Sequence, residues 1–224
     1  MNVTKQSAPP PAAPVHAAAA RTRPSWLVPA GLILLSLIPV VAGAARLTEL
    51  TGGAAVTERN ARFFDSPVPV VIHILTVTVY SLLGAFQFVP SLRRRQWHRI
   101  AGQVLVPAGL LAALSGLWMA VFYTLPPSDG QVLLILRLIF GTGMALSLVL
   151  GIYWAVRRNF VRHGAWMTRA YAIALGAGTQ AVILIIPELL KSPPDVTWRA
   201  ILMGAAWAIN LAAAEYFIRR RHRR

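Results

Sequence analysis

The chain has 224 residues, of which 56% are apolar and only 13% charged, about half the charge of a soluble globular domain. A mean hydropathy of +0.58 and the lack of cysteine exclude a wholly disordered chain, a disulfide scaffold and any thiolate or Cys-ligated metal chemistry. The net charge of +15 would suit nucleic acid, but its distribution along the chain points to a membrane surface instead.

Residues 1–25 are a tail of Ala, Pro, Ser and Thr without apolar periodicity, and they read as disordered because they bury too little to offset chain entropy. Six apolar segments follow: Trp26–Ala45, Val68–Phe88, Ile100–Tyr123, Val132–Ala155, Trp166–Leu189 and Trp198–Ile218. Each is close to the roughly 20 residues needed to cross about 30 Å of hydrocarbon. In lipid only a helix satisfies every backbone group within one segment, and runs this long exclude barrel strands. The sequence therefore predicts an all-α integral membrane protein, a six-transmembrane-helix bundle over residues 26–218 with a basic terminus at 219–224. Arg21, Arg23, the first apolar run and Ala42-Gly43-Ala44 also resemble a signal peptide, but that run is long for a signal core and reads as a retained anchor.

Basic residues set the orientation. The tail has Lys5, Arg21 and Arg23; the second connection has Arg93, Arg94, Arg95 and Arg99. The fourth has Arg157, Arg158, Arg162 and Arg169, and the C-terminus has Arg219, Arg220, Arg221, Arg223 and Arg224. The other side carries Arg46, Arg59, Arg62, Arg137, Lys191 and Arg199, with every acid except Glu215. Both termini are thus expected in the cytoplasm, the protein in the plasma (inner) membrane, and its basic face on anionic lipid.

In the second to sixth spans, the matching passages are His73, GAFQFVPSLRRRQWHRIAGQ at 84–103, RRNFVRHGAWMTRAYAI at 157–173 and AINLAAAEYFIRRR at 208–221. Over about residues 68–221 they resemble a bacterial family of small multi-pass membrane proteins, domain of unknown function 2306. That pattern usually has a basic residue where Gln103 and Gly164 stand. The resemblance implies topology and candidate positions, and no activity.

Several polar residues are candidates for a site. His73, Thr76, Tyr80, Gly84 and Gln87 recur every three or four positions, so they fall on one helical face, which in lipid turns inward. They read either as helix-packing groups or as one wall of a cavity. By depth, Arg137 lies level with His73, about 8 Å into the membrane, and Glu188 is the nearest counter-charge, with His73 a hydrogen-bond partner. The other reading of Arg137 is a side chain snorkelling to the outer headgroups. His98 and His163 each follow a basic cluster and open a span. Two imidazoles on different helices can hold the iron of a haem b, although beside Trp97 and Trp166 they also suit an interfacial aromatic belt. Glu215 reads as an i, i+4 partner of Arg219, and Asn210 as a hydrogen-bonding group between helices. Gly141 to Ala145, and Ala172, Gly176 and Gln180, read as packing seams.

No phosphate loop, nucleophile–base set, carboxylate pair with metal spacing or dinucleotide fingerprint occurs, so no catalytic residue is assigned and no metal follows. Three functions remain. The first is a non-enzymatic module that binds, passes or senses a small ligand in a polar site within the bundle. The second is an electron-transfer protein with haem b on His98 and His163. The third is a scaffold on anionic lipid.

Overall fold

The computed structural model describes residues 26–93 and 96–222. The tail read as disordered, with Lys5, His16, Arg21 and Arg23, lies outside the described residues, as do Arg94, Arg95, Arg223 and Arg224. The helices are α1 (Leu27–Thr51), α2 (Ala61–Asp65), α3 (Pro67–Ala85), α4 (Pro90–Arg93), α5 (Gln96–Phe122), α6 (Gln131–Val156), α7 (Phe160–Ala174), α8 (Gly176–Leu189) and α9 (Val196–His222). A 3-10 turn at Phe86–Phe88 follows α3, and no strand occurs among the described residues. Among the described residues six stretches are long and apolar enough to cross a membrane: α1, Pro67–Phe88, α5, α6, Phe160–Leu189 and Val196–Arg221.

The helices outrun the apolar windows because hydropathy marks hydrocarbon, whereas a helix continues until its backbone is interrupted. Thus α1 runs past Ala45 to Thr51 and stops at Gly52 and Gly53, the latter at φ +68, where an L side chain would be strained. Likewise α5 begins at Gln96 and carries Trp97 and His98 in its first turn. Pro67 opens α3 at a position where its missing N–H costs nothing. Asn159 caps α7 by accepting the Arg162 N–H at 3.0 Å.

The fifth span is broken. α7 ends at Ala174, Leu175 is a turn, and α8 restarts at Gly176. The Trp207 indole fills the space a Cβ on Gly176 would need, at 2.2 Å from its Nε1, so a ring wedged against glycine accounts for the break.

Packing is by small residues, as expected where lipid supplies no hydrophobic drive between helices. α3 packs on α5, α5 on α6, α6 on α7, and α9 on α6, α7 and α8; α1 lies across α3 and α8. The buried core is rich in alanine around Tyr80, Leu105, Met144, Leu148 and Tyr171. The two ends of the bundle are called proximal, where α1 begins and α9 ends, and distal, where α1 ends and α9 begins.

Candidate functional site

Inside the bundle a chamber opens toward each end. The distal one has a volume of about 390 Å³ and is lined by His73, Arg62, Tyr123, Asp129, Arg137, Gln180, Trp207 and small residues of α5. The proximal one is about 740 Å³ and mostly apolar, with Tyr80, Gln87, His98, His163, Thr168 and Arg221 among its walls.

The α3 stripe is divided between them. His73 faces the distal chamber, where its Nδ1 donates to the Ala112 carbonyl at 2.9 Å and lies 3.3 Å from the Ser115 hydroxyl. Thr76 reaches neither chamber and donates to Ile72 O of its own helix at 2.6 Å. Tyr80 and Gln87 belong to the proximal chamber, and Gln87 donates to the His98 carbonyl at 3.4 Å. The stripe therefore lines two chambers in turn, with His73 on one and Tyr80, Gly84 and Gln87 on the other. The ring of Tyr80 crosses to α5 and closes the stripe between His73 and Gln87.

The distal charges also differ from depth counting along helices. Arg137 pairs with Asp129 at 2.5 Å, not with Glu188, and Arg199 reaches the other oxygen of Asp129 at 3.1 Å. The Asp129 side chain is 4% exposed, against 29% and 31% for the two arginines. Glu188 is exposed at the end of α8 and lines neither chamber. Asp129 sits in the α5–α6 loop, where depth along a helix gives it no place. The Pro126 carbonyl accepts the Asp129 N–H at 2.9 Å, and this turn folds the carboxylate back under the start of α6. The available signal was the Pro-Pro-Ser-Asp-Gly turn before a helix, where an acid is favoured.

Arg62, also unanticipated, lines the same chamber from α2. Its guanidinium lies 4.5 Å from the Phe63 ring centre, and Arg46 stacks on that ring at the same distance while pairing with Glu49. Among the described residues Arg62 forms no ion pair. Burial lowers its pKa from the ordinary value, with Asp129 opposing and Arg46 and Arg137 adding to the shift. Tyr123 closes the rim by donating to Ser66 O at 2.5 Å, and burial raises its phenol pKa above the ordinary 10.0. Two guanidiniums thus share one carboxylate, and a third lines the same chamber.

In the proximal chamber, His98 of α5 and His163 of α7 share one space. The Nδ1 of His163 donates to the Gly151 carbonyl at 2.9 Å, which leaves Nε2 as the acceptor of the neutral ring. Nearby, the close ion pair of Glu215 is with Arg169 of α7 rather than with Arg219. Arg169 grips it with Nε at 2.5 Å and a terminal nitrogen at 3.1 Å, a fork that joins α7 to α9. Arg169 also stacks 4.7 Å over Trp166. Asn210 ties three helices, accepting from Thr179 at 2.9 Å and donating to Ala172 O at 3.2 Å. Gln180 donates to Met203 O at 3.1 Å.

A family model described as "Predicted membrane protein (DUF2306)" matches residues 70–218, from α3 to near the end of α9. No curated protein and no solved structure matches the chain.

Proposed function

The chain belongs to the DUF2306 family of membrane proteins, and from the geometry of its distal chamber we propose that it is a non-enzymatic module binding a small anion. The distal end faces outward from the plasma membrane, and both termini are cytoplasmic. The observation that carries this reading is the surplus of positive charge around Asp129. Arg137 and Arg199 divide that one carboxylate between them, and Arg62 borders the same chamber without an ion pair of its own among the described residues. A small anion beside Arg62 would supply the missing counter-charge, and Tyr123 and Gln180 add polar groups around it. The orientation is supported by charge: Arg157, Arg158, Arg219, Arg220 and Arg221 are proximal, while Glu49, Asp65, Asp129, Glu188 and Asp195 are distal. The proximal arginines then meet anionic lipid headgroups.

Thermal unfolding of the purified protein tests the anion site, with sodium chloride, acetate and phosphate compared at matched ionic strength. An anion at 100 times its Kd should stabilise the folded state by about 2.7 kcal/mol. The gain should be lost in Arg62→Gln, which removes the unpaired cation and breaks no ion pair. Equal gains in parent and variant, or none from any of the three anions, would reject the distal site.

A further inference from the structure

The two chambers lie nearly end to end, and the matter between them is thin. On α6, Met144 borders the distal chamber and Leu148, one helical turn away, borders the proximal one. On α3 the boundary falls between Val77 and Tyr80, again less than a turn. One turn is about 5.4 Å of helix. The barrier is made of side chains: Leu148 is 0% exposed, and the Tyr80 and Tyr171 rings lie 5.7 Å apart. Each ring is seated on a glycine. A Cβ on Gly109 would stand 2.7 Å from the Tyr80 ring, and one on Gly84 would stand 2.6 Å from the Tyr171 ring. Tyr171 is held further by donating to Ser81 O at 2.5 Å. Cations flank both chambers, Arg62 and Arg137 distally and Arg221 proximally.

The geometry points to a transmembrane route for a small anion, entered through the two chambers and closed at mid-membrane by a side-chain septum centred on Tyr80 and Leu148. The anionic character of the cargo rests on the distal site proposed above; the route rests on the septum. A layer of apolar side chains one turn thick excludes water and ions when shut, and a rotamer change in a ring lying on glycine opens it without moving a helix.

The test is flux into proteoliposomes containing the full chain, with chloride, acetate and uncharged glycerol as probes. Tyr80→Ala and Leu148→Ala should each raise anion entry on the order of tenfold over the parent, because loss of the constriction removes a dewetting barrier. Tyr80→Phe, which keeps the ring, should behave as the parent. Glycerol entry without chloride or acetate would keep the route and reject an anionic cargo. A parent stabilised by anions whose folded variants pass none of the three probes would keep the binding site and overturn the route.

Should both alanine variants fail to fold, the cysteine-free parent permits a second measurement. A membrane-impermeant thiol reagent should modify Ala177→Cys from the distal side and Gly164→Cys from the proximal side. Failure to modify either would show that the chambers are dry and overturn the proposal. So would a Soret band in the purified parent that is lost in His163→Ala, since a fixed haem would then fill the proximal chamber.

Discussion

Replacing Asp129 by asparagine keeps the shape of the side chain and removes the charge that two arginines share. At an effective dielectric of about 20, one ion pair at about 3 Å is worth roughly 5 kcal/mol in gross Coulomb energy. Desolvation cancels much of that for a carboxylate only 4% exposed, and the arginines, 29% and 31% exposed, keep part of their hydration. Asp129→Asn also leaves Arg137 and Arg199 without their shared carboxylate, and Arg62 and Arg137 lining a chamber with no counter-charge. The expected cost is about 2–4 kcal/mol, reaching somewhat below the about 3–5 kcal/mol of breaking a fully buried pair because the arginines stay partly hydrated. Denaturation in detergent measures it, best as a double-mutant cycle with Arg137→Gln and with Arg199→Gln. Each cycle should show a coupling of about 1–2 kcal/mol. Glu188→Gln, by contrast, should stay within about 0.5 kcal/mol of the parent, as an exposed side chain away from the chamber should. Additivity in both cycles would refute the shared-carboxylate account, and a strong Arg137–Glu188 coupling would replace it.

The Arg169–Glu215 fork should give a coupling of about 1–2 kcal/mol in the same assay, while Arg219→Gln changes stability by no more than about 0.5 kcal/mol. Gly109→Ala should destabilise by about 1–3 kcal/mol because its Cβ meets the Tyr80 ring, and Tyr80→Leu in the same chain should recover part of that loss. Tyr123→Phe removes the hydrogen bond to Ser66 O and should cost about 1 kcal/mol near neutral pH. Because burial raises the folded pKa of Tyr123 above 10.0, its protonated form stabilises the fold below that pH, and the contribution is lost as pH rises through the folded value. The gap between parent and Tyr123→Phe should therefore close in alkaline solution, and a gap constant with pH would contradict a partly buried, hydrogen-bonded hydroxyl.

The spans were legible because length and apolarity are properties of a contiguous run, and the six runs coincide with the six membrane-length helical stretches among the described residues. Contacts carried on helix faces were partly legible: Asn210 and Gln180 join helices, and His98 and His163 share a chamber. What failed was pairing. Depth along a helix cannot see a carboxylate returned by a turn, so Glu188 stood where Asp129 belongs. Proximity along one helix favoured Arg219 for Glu215, yet the fork of Arg169 reaches it from α7. Periodicity also carried the α3 stripe through Tyr80 as though the face stayed open. Its interruption depends on Gly109, a residue of another helix whose missing Cβ admits the ring.

The proposed function requires a water-filled distal chamber that takes a small anion from outside the cell. Ala177→Cys places the single thiol of the chain on the chamber wall just beyond the break in the fifth span. In intact cells, a membrane-impermeant thiol reagent should modify it, and acetate or chloride at constant ionic strength should slow the reaction in the parent background but not with Arg62→Gln. Modification only from the cytoplasmic side, or a rate that no anion changes, would contradict the account.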